Sequence, residues 1–207
     1  MTTPYERAKA ALDDLIDWAD QQGREIARNE ATTRLHLINQ LLQSVLGWPL
    51  EETEAEEALG GEYVDYALGV PYRRLIVEAK REGAHFNVPV GMTAVVQKLS
   101  SLTDGDAGQN IKQAAEQVIG YCARRGVPFA AICNGTQLVA FLGVRVDGVP
   151  PVKGAALVFS SLSAMRENFR LLWDNLSKPA IEARNLIITL REGESPTAPS
   201  PLSSRLP

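Results

Sequence analysis

Three charged side chains close together in the sequence could carry out chemistry jointly. Asp65, Glu78 and Lys80 fall in VDYALGVPYRRLIVEAKREG, residues 64–83, within two segments that read as strands around a GVP turn. Such residues are poor strand formers, and two of them carry the same charge. Alternate strand residues share a face, so Glu78 and Lys80 point the same way. Folding the hairpin about the turn brings Asp65 close to opposite Glu78.

The expected closeness of two carboxylates indicates a cation between them. Directly opposed strand residues have Cβ atoms ~5 Å apart, so the two acids repel each other. Mg²⁺ suits oxygen ligands and keeps positions open for water and phosphate. Lys80 beside it could orient or deprotonate a water, or stabilise charge that builds on phosphorus. The same residues are also consistent with a solvent-facing sheet surface on which Lys80 pairs with an acid.

Hydrophobic periodicity predicts the elements that must position these residues. The predicted helices are 5–22, 25–46, 94–99, 109–125, 162–176 and 180–190. The predicted strands are EYVDYAL, RRLIVEA, PFAAIC, QLVAFLGV and ALVF. The acidic residues 51–57 and Gly60-Gly61 predict a loop. This order predicts an α/β fold with a mixed sheet flanked by helices.

Composition excludes several classes of protein. The 207 residues, 45% hydrophobic and 22% charged, fit one domain with appendages. No apolar run approaches the ~20 residues of a membrane span, and the N-terminus lacks a secretory pattern. Cys122 and Cys133 form no disulfide or zinc framework, so we expect buried thiols in a cytoplasmic protein. A net charge of −4 argues against a simple basic nucleic-acid sleeve, although YRRLIVEAKR and CARRG are locally basic.

Several motifs in a fixed order support a family resemblance. VDYAL followed by IVEAK and REG resembles the core motif of the restriction-endonuclease-like PD-(D/E)xK nucleases. More closely, it resembles the N-terminal nuclease domain of the motor subunit of type I restriction enzymes. Asn29-Glu30 with LINQLLQSVLGWP resembles that family's opening helix, QVIGYC its Q-x3-Y motif, and GVPFAAICNGTQLVAF the hairpin that follows. The resemblance covers residues 28–143. It departs at Val64, where the named motif has proline, and over 82–109, which does not match.

The resemblance implies a set of catalytic and metal-binding residues. It makes Asp65, Glu78 and Lys80 catalytic, with Glu30 a further acid near the metal. Asp65, Glu78 and the backbone carbonyl of Ala79 are the expected ligands of Mg²⁺, for which Mn²⁺ would substitute. Without the resemblance, Glu30 could equally form a helical ion pair with the residue one turn later.

The resemblance also implies residues that contact the substrate. Gln117 and Tyr121 would approach the site and position a phosphate or nucleotide, whereas the periodicity alone would make them part of a solvated helix face. Arg73, Arg74, Arg124 and Arg125 could contact backbone phosphates. Each arginine taken alone is consistent with an ordinary surface residue.

The expected function is that of a metal-dependent endonuclease domain hydrolysing phosphodiester bonds, with DNA as the expected substrate. It would serve as the nuclease module of a larger prokaryotic restriction or anti-phage defence protein. The alternative is a catalytically silent nuclease-fold module for nucleic-acid binding or oligomerisation. The sequence contains no GxxxxGKS-type loop, the motif that would indicate an ATPase motor. The other expected partners are further copies of this chain, in a homo-oligomer, and further domains beyond Pro207. The expected organisation is an N-terminal helical extension at 1–27, a nuclease core at 28–160, C-terminal helices at 161–191 and a Pro/Ser-rich tail at 192–207.

Overall fold

One seven-stranded sheet organises the molecule. The computed structural model describes residues 2–22, 34–59, 62–80, 88 and 94–194. The strands are β1 Thr53–Leu59, β2 Glu62–Leu68, β3 Leu75–Ala79, β4 Ala94–Lys98, β5 Phe129–Cys133, β6 Leu138–Leu142 and β7 Ala155–Phe159. Their order across the sheet is β1-β2-β3-β5-β6-β7-β4. The β3–β5 pair is parallel and the other neighbouring pairs are antiparallel. The predicted fold class, a mixed sheet flanked by helices, is confirmed.

Helices cover both faces of this sheet. They are α1 Pro4–Gln22, α2 Ser100–Thr103, α3 Gly105–Arg125, α4 Leu162–Glu167, α5 Phe169–Leu176, α6 Lys178–Glu182 and α7 Asn185–Glu194. Two π-helical turns, Arg34–Ile38 and Leu41–Val45, form the described part of the predicted second helix. No helix within the described ranges is long and apolar enough to cross a membrane.

Successive side chains of β3 point to opposite faces of the sheet, and each face is covered by different helices. Leu75 and Val77 pack into a hydrophobic cluster with α1, the π-helical turns and the helices after β7. Ile76 packs on the other face with the apolar side of α3. All five residues of β3 are buried, as expected of a strand covered on both faces. Glu78 shares the face of Ile76, so it must lie under α3.

The end of α3 sets the direction of the helix across the sheet. Gly126 adopts a left-handed φ of +67° and its N–H bonds the Cys122 carbonyl, the C-terminal cap that glycine forms without steric penalty. The chain then enters β5, so the carboxyl end of α3 lies at the amino ends of β5 and of its parallel neighbour β3. The helix therefore runs antiparallel to β3, and its middle lies near the carboxyl end of that strand.

The acidic segment predicted as a loop is instead an edge strand. Residues 53–59 form β1, which pairs antiparallel with β2. The prediction was wrong because Glu and Ala have low strand propensity, whereas the hydrogen bonds offered by β2 determine the structure here. Charged residues on an edge strand also discourage pairing with another chain.

A second prediction was wrong at 94–99. Ala94–Lys98 forms β4, which pairs antiparallel with β7 along its whole length, where a short helix was expected. Five residues are too few for periodicity to distinguish a strand from a helix. The partner strand, distant in the sequence, decides the conformation.

The C-terminal helices are shorter and more numerous than predicted. The predicted helix 162–176 is broken at Asn168, whose φ of −115° and ψ of 36° leave the helical range. The predicted 180–190 helix is replaced by α6 and α7, separated by Arg184 with a φ of +62°. The start of the predicted tail is helical, since α7 runs to Glu194. The rest of the tail, and the part of the predicted 25–46 helix before residue 34, lie outside the described residues.

Candidate active site

The hairpin of β2 and β3 brings Asp65 and Glu78 together. Tyr66 pairs with Val77 and Ala67 with Ile76, so continuing the register by one pair sets Asp65 opposite Glu78. The expected antiparallel pair is therefore confirmed. Asp65 lies on the face of Ala67, and Glu78 on the face of Ile76, which is the face that α3 covers.

The turn of the hairpin depends on a glycine. Gly69 has a φ of +106°, and a Cβ built there would lie 2.7 Å from the carbonyl oxygen of Tyr72. Both the conformation and the space therefore require glycine. The Arg74 N–H then bonds the Leu68 carbonyl at 2.7 Å, which closes the loop and sets the register that aligns the two acids.

The Asp65 carboxylate is held at the end of β3. Its Oδ2 accepts the backbone N–H of Ala79 at 2.8 Å, a charge-assisted hydrogen bond. On the other side, the β1–β2 register runs through Ala55–Tyr66 and resumes at Glu57–Val64. Glu56, across from Asp65 in that register, has a left-handed φ of 58°. The strand pairing is thus interrupted beside Asp65, and a further acid lies across from it.

Glu78 is a buried carboxylate paired with Lys80. The residue is only 1% exposed, and its Oε1 lies 2.5 Å from Nζ of Lys80, whose side chain is 20% exposed. Burial of a carboxylate is costly unless it is paired, so the ammonium compensates the buried charge. The two residues are neighbours on one face of the strand end. This is not the solvent-facing surface that the sequence left as an alternative, although the pairing of Lys80 with an acid is found.

Helix α3 supplies a chain of polar contacts above this pair. Oε1 of Gln117 lies 3.4 Å from Nζ of Lys80, and Nε2 of Gln117 donates to the Tyr121 hydroxyl at 2.9 Å. The Arg124 guanidinium carbon is 5.2 Å from the centre of the Tyr121 ring, within cation–π range. Because residues four and seven apart share one helix face, this chain follows from the spacing. The structure brings Gln117 to Lys80, and Tyr121 to Gln117; their predicted role in positioning a substrate stays a prediction.

The carboxyl end of β5 adjoins the same place. The Lys80 N–H donates to the Cys133 carbonyl at 2.9 Å, so the residue after Cys133 lies beside the candidate site. That residue, Asn134, is fully buried. Its Oδ1 accepts the N–H groups of Thr136 and Gln137 at 3.1 and 2.7 Å. The sequence indicated only a turn here; parallel pairing with β3 is what makes Asn134 a neighbour of the site.

Other predicted residues are not brought to this place. Arg73 and Arg74 precede β3, whereas Lys80 follows it, and six residues of extended chain span ~20 Å. Glu30 lies outside the described residues. The Ala79 side chain is buried on the opposite face of the sheet, and the role predicted for its carbonyl stays a prediction.

The two cysteines are buried thiols without reactive character: Cys133 adjoins the site through its carbonyl, and Cys122 lies at the other end of β5, against the Phe129 carbonyl. Burial raises the pKa of Cys122 to about 12 and that of Cys133 to about 12. A thiol rather than a thiolate is a poor nucleophile and metal ligand. The prediction of buried cysteines is confirmed, and thiol chemistry is not indicated.

The donors at the site fit a hard divalent cation. Asp65 and Glu78 supply carboxylate oxygens on one face, and Mg²⁺ is commonly held by one or two carboxylates with its remaining positions filled by water and phosphate. Within the described ranges, no group of three or more His, Cys, Asp or Glu residues could hold a metal. The residues therefore fit a cation that keeps much of its water shell, and do not fit a closed structural site.

The sequence matches no protein-family model and no curated protein. Among solved structures, the chain is similar to the type IIG restriction endonuclease BpuSI, with a TM-score of 0.40 and 14% identity. The match covers 86% of this chain and 17% of that enzyme, so the chain spans less than a fifth of the enzyme's length. The resemblance to type I motor subunits stays a prediction.

Proposed function

We propose that this chain is a metal-dependent endonuclease domain that hydrolyses phosphodiester bonds, with DNA as its substrate. The observation that carries the proposal is the buried Glu78 carboxylate, 2.5 Å from the Lys80 ammonium, on the sheet face that also bears Asp65. An acid pair with an adjacent ammonium at the end of a strand suits phosphoryl chemistry, which depends on positioning and charge stabilisation.

The acids would hold the cation and the lysine would act on the substrate. Asp65, Glu78 and the carbonyl of Ala79 are the proposed ligands of Mg²⁺ or Mn²⁺. When bound, the cation would polarise a phosphoryl oxygen and make a bound water more acidic. The hydrogen bond from the Ala79 N–H orients the Asp65 carboxylate, so its geometry is set before a cation arrives.

Lys80 has the reach and the donors for a role in the reaction. Its ammonium has three N–H donors and no acceptor; Glu78 and Gln117 lie within reach of two of them. A third donor could reach a phosphoryl oxygen or the attacking water, since a fifth of the side chain is exposed. Gln117, fixed through Tyr121, would act as a positioning residue that limits the rotation of the lysine.

The biological setting is part of the proposal. The motif order supports a nuclease module of a larger restriction or anti-phage defence protein, in which other domains would supply target recognition. The alternative function is that of a silent module, which would have the same fold and would bind nucleic acid but would not cleave it. The presence of Asp65, Glu78 and Lys80 together at the ends of β2 and β3 favours the enzyme.

A cleavage assay distinguishes the two. Supercoiled plasmid, linear duplex DNA, single-stranded DNA and RNA are incubated with the protein across a Mg²⁺ and Mn²⁺ series. We expect metal-dependent cleavage of DNA that Asp65→Asn abolishes. Asparagine is chosen because its amide oxygen can still accept the Ala79 N–H and preserve the fold, as circular dichroism would verify.

The matched control is Lys9→Ala, an exposed residue on α1 at the opposite face of the sheet, which should cleave like wild type. Binding of DNA without metal-dependent cleavage would support the silent module. Cleavage by Asp65→Asn at the wild-type rate would contradict the assignment of the site.

A further inference from the structure

A second place on the molecule concentrates positive charge. At the amino-terminal end of β3, the end away from Lys80, there is a cavity of about 530 Å³. Four of the side chains lining it are arginines: Arg73, Arg74, Arg125 and Arg184. None of the described residues that line it is acidic. In a chain with a formal charge of −4, this local excess of cations runs against the overall balance.

The four arginines come from three separate parts of the fold. Arg73 and Arg74 lie in the turn before β3, Arg125 ends α3, and Arg184 separates α6 from α7. Arg184 occupies a left-handed position with a φ of +62°, where glycine is the usual residue. Guanidinium groups from separate elements that face one cavity present planar sets of N–H donors, which match the geometry of phosphate oxygens.

Two of the side chains that line the cavity, Arg73 and Tyr72, indicate what kind of anion would fit it. Arg73 contacts the Glu54 carboxylate and also donates to the Gly69 carbonyl at 2.8 Å, which orders the rim. Tyr72 is 70% exposed, and the Arg74 guanidinium carbon lies 5.8 Å from its ring centre. An exposed ring among guanidinium groups offers a stacking surface next to phosphate-binding donors, as in sites for nucleic acids.

We propose that this arginine cavity binds backbone phosphates of nucleic acid at a position outside the candidate active site. The proposal rests on the proposed function, because it extends the path of the same substrate. It adds Tyr72 and Arg184 to the expected contacts. It also gives Arg73 and Arg74 a role at the far end of β3 and not at the reacting phosphate.

Helix α3 provides the path between the two places. Gln117 contacts Lys80 at the candidate site, and Arg125, eight residues later on the same helix, lines the cavity. At 1.5 Å per residue this separation is ~12 Å along the axis. A duplex advances about 3.4 Å per nucleotide of one strand, so about four nucleotides cover it. Between them, Tyr121 and Arg124 lie on the face that Gln117 occupies.

The test measures binding and not cleavage. Fluorescence anisotropy with a labelled 20-base-pair duplex is recorded in EDTA across a salt series, for wild type and for Arg125→Gln/Arg184→Gln. The matched control is Arg166→Gln/Arg170→Gln, which removes the same charge from exposed positions on α4 and α5. Each phosphate contact contributes about 0.9 to the slope of log K against log salt. We therefore expect the slope to fall by about 2 in the cavity variant and to stay unchanged in the control.

A second arm distinguishes the source of the phosphate. Calorimetric titration with inorganic phosphate and with a mononucleotide is carried out on wild type and on the cavity variant. Loss of mononucleotide binding in the variant, with duplex affinity and salt slope kept, would make the cavity a small-molecule site and would overturn the proposal. Weaker duplex binding in the variant, with or without phosphate binding, supports it.

The outcome does not depend on whether the enzyme cleaves. If the cavity variant loses duplex affinity and salt slope while wild type never cleaves, the cavity is supported and the proposed catalysis is not. If wild type cleaves and the cavity variant binds with unchanged affinity and slope, the cavity proposal is overturned and the catalytic proposal survives. An equal loss in the Arg166/Arg170 control would also overturn the cavity, because the effect would then be one of net charge.

Discussion

Replacing Lys80 by methionine tests whether Glu78 depends on its ammonium. Methionine keeps most of the unbranched side chain and removes the charge. Glu78 would then be left as a carboxylate that is 1% exposed, without the Nζ group that now lies 2.5 Å from its Oε1. A buried charge deprived of its partner is strongly destabilising, whereas an exposed ion pair can be removed at little cost.

The size of the effect follows from the burial of the two partners. Removing one partner of a fully buried pair costs about 3–5 kcal/mol. Because the Lys80 side chain is 20% exposed, water can partly solvate the remaining acid, so we expect the low end, about 3 kcal/mol. For a chain of 150–250 residues, 1 kcal/mol corresponds to about 2–4 °C in Tm. The expected decrease in Tm is therefore about 6–12 °C.

The assay is urea and thermal unfolding in EDTA at neutral pH, followed by circular dichroism, with Lys9→Met as the control. A loss of less than about 1 kcal/mol, the range of exposed ion pairs, would refute the reasoning that Glu78 relies on Lys80. The double variant Lys80→Met/Glu78→Gln should recover part of the loss, since it removes the uncompensated charge together with its partner.

Magnesium adds a second readout to the same variant. A cation that binds the folded state at 100 times its Kd adds about 2.7 kcal/mol of stability. Lys80 competes with a cation for the Glu78 carboxylate, so the Tm of Lys80→Met should rise more with Mg²⁺ than the Tm of wild type. An identical rise in both proteins would indicate that the cation does not bind at Glu78.

Two further predictions concern groups away from the reaction. The Arg145 side chain, 3% exposed, makes a bidentate pair with Glu194 at 2.5 and 2.8 Å, so Arg145→Met should cost about 2 kcal/mol of unfolding free energy. The same pair lowers the pKa of Glu194, chiefly through the hydrogen bond from Arg145; its contribution is present above the ordinary carboxyl pKa and is lost as the pH falls below about 4. Stability curves of wild type and variant should therefore approach each other from pH 7 to pH 3 without meeting, because the hydrogen bond from Arg145 lowers the pKa of Asp147 to about 2 and that pair persists at pH 3. Parallel curves would contradict this. Cys122 and Cys133, whose pKa values burial raises to about 12, should react with a thiol reagent only after denaturation, and rapid labelling of the native protein would show that they are accessible.

The register of the hairpin could be predicted because all of its determinants are local. Gly69 marks the turn, and the period of two along each strand assigns Asp65 and Glu78 to one face. The spacing of Gln117, Tyr121 and Arg124 likewise predicts one helix face. Local pattern was sufficient for this register and this helix face, but not for the adjacent β1–β2 pair, where residues 53–59 pair with β2 despite their low strand propensity.

Contacts between distant segments could not be predicted in the same way. Residues 94–98 became a strand because β7, distant in the sequence, offers hydrogen bonds to them. The position of Asn134 beside Lys80 follows from the parallel pairing of β3 with β5. The arginine cavity joins residues from three parts of the chain, so Arg184 carried no signal in the sequence.

Single-turnover cleavage by Lys80→Ala across a magnesium series tests the central claim most directly. If Lys80 takes part in the reaction, the variant should cut about 10²–10⁴-fold more slowly at saturating Mg²⁺, although its magnesium midpoint should be no higher than that of wild type. Lys80→Arg should recover only part of that loss, because a planar guanidinium does not replace a compact ammonium. A near-normal rate for Lys80→Ala at saturating magnesium would contradict the account and reduce the lysine to a counter-charge for Glu78.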